Sequence, residues 1–304
     1  EAQMTIADYE ALATAKENAK QSLTTHFQSK DSDDYSENDY FKISQFYYHG
    51  SETIDSAETI EQVEKYLASA REAMDEIKRS YLLTLEYNGG WDGVGDTMRI
   101  YDNGKDYFPP DPTKENYVSM GWYTSPDFAE DSHITRVTYE SGIKKIYAKW
   151  GVMVDILLPG VDMGYAVELG KVFGDVFTEV DESAKDMDMG VPYGYYYVDK
   201  NGDIHKVEST DVNNFTEPVT VYAVFKVDNA LYMYSGDMAT HTLMVIGAVE
   251  VDGALTIAEN IEYVGEAMPV TAIAKNAFVG ATVTELRIPA SVKEIGSTIF
   301  AANS

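Results

Sequence analysis

At 304 residues, 44% hydrophobic and 24% charged, the chain has a globular composition and is long enough for two or three domains with separate cores. Its formal net charge of -28 repels phosphate backbones and anionic lipid heads, which sets aside nucleic acid and direct membrane insertion as partners. Cysteine is absent, so disulfides, thiol nucleophiles and cysteine-based zinc sites are excluded.

No run of about 18 apolar residues occurs that would span a bilayer. Glu1 is not an initiator methionine and no charged-then-apolar leader follows it, which permits export with a leader cleaved or left out.

Over residues 5–79 the apolar positions fall at helical spacing. Ile6, Tyr9, Leu12, Ala13, Ala19, Leu23 and Phe27 form one face, Tyr40, Ile43 and Tyr47 a second, and Ile60, Val63, Tyr66, Leu67, Ala70, Met74 and Ile77 a third. Ser36 with Asp39, and Thr59 with Gln62, have the spacing of capping boxes. The acidic stretch 30–34 and the Gly50-Ser51 pair read as breaks between three helices, so residues 1–80 are expected to form a three-helix bundle.

Beyond Ser80 the period becomes that of strands. Residues 81–87 precede an Asn88-Gly89-Gly90 turn, residues 97–101 alternate, and the proline-rich stretch 109–112 forbids both helix and central strand. Residues 117–123 and 144–150 are the most strand-like runs, and 81–150 reads as one small β-rich domain. Trp122, Tyr147 and Trp150 are expected in its core, whereas Trp91, between turn glycines, is expected at the surface and is a candidate binding ring.

Residues 151–227 read as a second, degenerate copy. Gly194-Tyr195-Tyr196 stands 73 positions after Gly121-Trp122-Tyr123 (194 − 121), and Tyr222 stands 75 after Tyr147 (222 − 147). A first strand is expected at 153–158, then an alternating apolar stretch over 167–180, a hairpin of 193–198 and 204–207, and a closing strand at 219–225. Tyr195, Tyr196 and Tyr197 are candidate exposed anchors for a partner. Asp199, Asn201 and Asp203 share part of a calcium-loop pattern but place glycine fourth instead of sixth, so a turn is the expectation. Asp181, Asp186 and Asp188 read as a solvated loop.

The last segment, 228–304, carries a shorter period. Ile273 recurs at Ile295 and Phe278 at Phe300, both after 22 positions (295 − 273, 300 − 278), with a strand at 284–289 whose Leu286 and Ile288 would face inward. One strand per unit of this length is the pattern of a leucine-rich solenoid. A solenoid needs about three units and a cap, so residues up to Ser304 are expected to be a fragment or an unusually short array.

Each segment resembles a module of bacterial surface proteins. The stretches at 33–43 (DDYSENDYFKI) and 53–79, with the Ala-rich first helix, resemble Gram-positive FIVAR-like helical modules, which implies a stalk or spacer. Asn88-Gly89-Gly90, the prolines from Pro109, Lys114-Glu115-Asn116-Tyr117, Gly121-Trp122-Tyr123-Thr124 and Tyr147-Ala148-Lys149-Trp150 resemble the Listeria-Bacteroides, or internalin B-type, repeat. That resemblance implies a compact β-grasp-like fold without catalytic residues. Pro269 to Ile273, Asn276-Ala277-Phe278, Leu286-Arg287-Ile288-Pro289 and Ser291 to Gly296 resemble the BspA-like leucine-rich repeat.

The five histidines form no close metal pair, and no nucleophile elbow, phosphate loop or dinucleotide fingerprint stands in its required context. The expectation is a multidomain α+β protein: a helical bundle, two small β-grasp-like repeat domains and the start of a leucine-rich-repeat solenoid. It is expected to be monomeric, secreted or displayed on a Gram-positive cell surface or wall, with no cofactor, no metal and no catalytic residues. Its work would be adhesion to, or recognition of, a host, matrix or bacterial surface protein or glycan. Two alternatives are a rigid stalk presenting another domain, and a carbohydrate-binding module associated with an enzyme.

Overall fold

The three N-terminal periodic segments each fold as one continuous helix. In the computed structural model, which describes residues 5–93, 95–187, 189–235 and 240–300, they are α1 (Ile6–Gln28), α2 (Glu37–Ser56) and α3 (Ile60–Glu76). Side-chain caps start all three. The Thr5 hydroxyl accepts from the Asp8 N–H at 3.1 Å while the Asp8 carboxylate accepts from the Thr5 N–H at 3.0 Å. Ser36 accepts from the Asp39 N–H at 3.1 Å, and Thr59 from the Gln62 N–H at 3.1 Å. Each such cap is worth about 1 kcal/mol. Gln62 reaches back one residue further than a capping box requires, accepting from the Glu58 N–H at 2.6 Å.

Leu12, Leu23, Ile43, Ile54, Val63 and Met74 form the shared core of the three helices. Ile6 and Tyr9, expected on the buried face of α1, are exposed. With 23 residues against 17 in α3, α1 is the longer helix by about 9 Å at 1.5 Å per residue; its buried stripe begins at Leu12. Gly50 does not break α2. A β-carbon at Gly50 would lie 2.5 Å from the Ala70 Cβ and 3.1 Å from Leu23 Cδ2, so the glycine is where helix backbones approach one another.

The chain divides into two compact units, one drawn from residues 1–112 and 121–149, the other from 113–120 and 150–304. The strands in chain order are β1 (Ser80–Glu86), β2 (Thr97–Tyr101), β3 (Val118–Tyr123), β4 (His133–Ile134), β5 (Lys145–Leu158), β6 (Val161–Glu168), β7 (Gly194–Val198), β8 (Ile204–Val207) and β9 (Val219–Val227). They continue as β10 (Ala230–Tyr234), β11 (Leu243–Ala248), β12 (Asp252–Thr256), β13 (Asn260–Tyr263), β14 (Glu266–Ile273), β15 (Thr282–Arg287) and β16 (Glu294–Ile295). With a fourth helix, α4 (Gly174–Asp186), the fold is mixed α+β.

In the first unit β1 pairs antiparallel with β2 and parallel with the start of β5, Thr84 facing Lys145 and Glu86 facing Tyr147. Positive φ at Asn88 (50°) and Gly89 (86°) turns the chain after β1, as the Asn-Gly pair predicts. Trp122 is buried, and its indole N–H donates to the Pro110 carbonyl at 2.9 Å.

In the second unit Trp150 is buried. Strand β5 is unbroken where the sequence suggested a boundary: Gly151 lies inside it, and a β-carbon there would stand 2.9 Å from both Met120 Sδ and the Val167 carbonyl oxygen. β5 pairs antiparallel with β6 and parallel with β9, and β9 pairs antiparallel with β7 and β10.

The expected alternation over 167–180 is overturned: β6 ends at Glu168 and α4 begins at Gly174. Phe173, Phe177, Val180 and Ala184 are buried at helical spacing, and Asp181 and Asp186 therefore stand on a helix and not in a loop. Asp188 lies outside the described residues.

Beyond β10 a second core gathers around Tyr232, Leu243, Leu255, Val270, Ile273 and Phe278. Two parallel ladders frame it. β11 pairs with β14 and β14 with β16, while β12 pairs with β15. Ala272 faces Glu294 and Ile273 faces Ile295, so residues that correspond at the 22-residue period are ladder partners. Leu286 packs partly against this core, but Ile288 is exposed because β15 ends at Arg287, before the alternation reaches it.

Candidate functional site

The β7–β8 hairpin decides where the three candidate tyrosines point. Its turn is built by Asp199, whose carboxylate accepts from the Asn201 N–H at 2.8 Å and the Asp203 N–H at 2.9 Å and meets His205 Nε2 at 3.1 Å. These hydrogen bonds hold the Asp199 carboxyl below the usual carboxylate range. The Asp203 carboxylate faces Lys275 Nζ at 2.6 Å. The expected turn is therefore present, with its carboxylates directed at protein groups. Among the described residues no group of three or more His, Asp or Glu is arranged to hold a metal ion.

Alternation along β7 sends successive rings to opposite faces. Tyr195, expected among the exposed anchors, is only 5% exposed. Its ring stacks on Phe177 of α4 at 3.9 Å between centroids, and its hydroxyl donates to the Asp181 carboxylate at 2.6 Å. Burial, then this carboxylate, pushes the Tyr195 hydroxyl far above its ordinary value. It is a core ring because α4, absent from the sequence reading, covers it. Tyr196 faces the other way, opposite Tyr222 in the ladder and half-buried against the cluster of Val224, Leu231 and Met233, and burial raises its hydroxyl too.

Tyr197 is the ring left at an opening. It stacks on His205 across the hairpin at 5.0 Å and meets Phe215 edge-on at 5.2 Å. The β7–β9 ladder ends with Tyr197 facing Val221, and beyond that pair the two strands part. A cleft of about 390 Å³ lies there, walled by Tyr197, Val198, Phe215, Pro218 and Tyr222. Lys200 from one wall and Glu217 from the other form an ion pair at 2.7 Å.

Trp91 belongs to the first unit and is 55% exposed, as its place among turn residues suggested. Its ring lies 6.0 Å from that of Tyr87. Tyr222 was expected only as a strand residue matching Tyr147, and Phe215, Glu217 and Pro218 had no part in the expectation. Their signal was an isolated aromatic and a proline in the polar run 211–218, just ahead of a strand.

The cleft thus combines rings and a proline with a balanced Lys200–Glu217 ion pair. Compared with protein-family models, curated proteins and solved structures, the chain matches none of them. Among the described residues, no helix is long and apolar enough to cross a membrane.

Proposed function

We propose that the protein is a non-catalytic adhesion or recognition protein of a bacterial surface, Gram-positive by its module resemblances, or a secreted one, acting through several modules. Residues 1–80 serve as a helical stalk, 81–150 and 151–227 as β-grasp-like repeats, and 228–304 as the start of a leucine-rich solenoid. The observation that carries this reading is the parallel pairing of Ala272 with Glu294 and Ile273 with Ile295. Period-matched residues that become ladder partners support units stacked side by side, a construction that gives extended binding faces. The ordered motif matches between Asn88 and Trp150 support the same setting.

The partner is a host, matrix or neighbouring-cell protein or glycan, held by complementarity over an exposed face. Trp91, half-exposed on the first unit, and Tyr197 at the cleft are the rings best placed to contribute. Surface-plasmon binding of the 304-residue chain to arrays of glycans, mucins and matrix proteins tests the proposal. Saturable binding to a defined ligand is expected; binding to none of them would leave a spacer as the better description.

A further inference from the structure

We propose that the cleft between the β7–β8 turn and the start of β9 is a binding site for a neutral sugar residue of a glycan; this rests on the recognition reading above. The walls decide the chemistry. Tyr197, Phe215, Tyr222 and Pro218 present ring and hydrocarbon surface, against which the C–H face of a pyranose packs. Asp199, Lys200, Glu217 and Thr220 ring the same space with donors and acceptors for hydroxyl groups.

Charge selects a neutral ligand. Lys200 and Glu217 cancel each other at 2.7 Å, and the Asp199 carboxylate is engaged by its own turn. The surrounding protein carries a net charge of -28, so a sulfated or sialylated chain meets a repulsive field. An extended peptide is the poorer fit. Strand addition needs a run of backbone donors, whereas only Val219 and Thr220 precede the paired part of β9 on this edge, and Pro218 before them has no N–H. The volume of about 390 Å³ lies at the low end for small-ligand sites and suits one or two sugar units instead of a long chain.

The test titrates the 304-residue chain with methyl glycosides of neutral hexoses and N-acetylhexosamines, and with neutral oligosaccharides. Ring-proton NMR shifts and calorimetry provide the readouts. The expected result is saturable binding that shifts Tyr197 and Phe215 and is insensitive to salt. Thr220→Trp, which fills the cleft, should abolish it. The double variant Lys200→Ala/Glu217→Ala removes two exposed side chains, tests the site without touching the core, and should weaken binding by about tenfold. Glycan binding that survives both variants would overturn the cleft assignment while leaving the adhesion reading intact. Binding only to sulfated or sialylated glycans, or only to a protein ligand in a manner lost with Thr220→Trp, would overturn the neutral-sugar assignment. Absence of any binding, to glycans and proteins alike, would overturn both.

Discussion

Gly50→Ala places two ordinary effects in opposition at one atom. In an exposed helix interior the substitution would stabilise by about 1 kcal/mol, because alanine loses less backbone entropy than glycine. Here the added β-carbon would stand 2.5 Å from the Ala70 Cβ, against about 3.5–4.0 Å for ordinary carbon contact. Ala70 has no rotamer with which to yield, and Leu23 Cδ2 at 3.1 Å blocks the other side. Relief requires α2 and α3 to separate by about 1 Å, an overpacking that costs about 3 kcal/mol at the upper end of its range. The expected net loss is about 2 kcal/mol. Amide exchange of Ile54 and Met74 in the full chain reads it directly: opening should become easier by about 30-fold. Ala70→Gly in the same chain removes the obstructing atom, so the double variant should be less impaired than the two single losses added together. Slower exchange in Gly50→Ala, by the fivefold or so that helix propensity alone supplies, would refute the close-approach argument.

The period-matched isoleucines should respond very differently to truncation. Ile273 is 1% exposed and Ile295 54%, so Ile273→Ala should lower stability by about 3 kcal/mol and Ile295→Ala by less than about 0.5 kcal/mol in urea titrations. Trp122→Phe leaves the Pro110 carbonyl without its indole donor and should cost about 2 kcal/mol; amide exchange along β3 is the check. Tyr195 links stability to alkaline pH. Its folded-state hydroxyl titrates above the usual value near 10, so the native chain keeps a proton that the unfolded chain releases. That contribution is present below about pH 10 and is lost as pH rises beyond it. Tyr195→Phe should therefore flatten the decline of the urea midpoint between about pH 9 and pH 11, at a cost of about 1–2 kcal/mol at neutral pH from the lost bond to Asp181.

Local rules reach a long way into this chain. Three capped helices, the Asn88-Gly89 turn, the β7–β8 hairpin and the strand at 97–101 follow from hydroxyl caps, glycine conformations and alternation acting over a few neighbouring residues. The candidate site was only half legible. Tyr197 was singled out, but so was Tyr195, because alternation places both on the same face of β7 and does not say which part of that face is covered. The cover is α4, and α4 escaped notice because Phe173 stands at its N-cap and supplies no side-chain hydrogen bond that would mark a start.

Composition, charge, the hydroxyl caps of the three N-terminal helices, turn chemistry and the 22-residue period were determined by sequence alone, since each depends on a residue and its near neighbours. The tertiary structure alone decided the meaning of the glycines and the place of the cleft. Gly50 read as a break and Gly151 as the first residue of a new repeat, yet both lie inside regular elements where a neighbouring residue leaves no room for a β-carbon. The parting of β7 from β9 likewise depends on where a ladder between distant segments stops, a distance that no local pattern encodes.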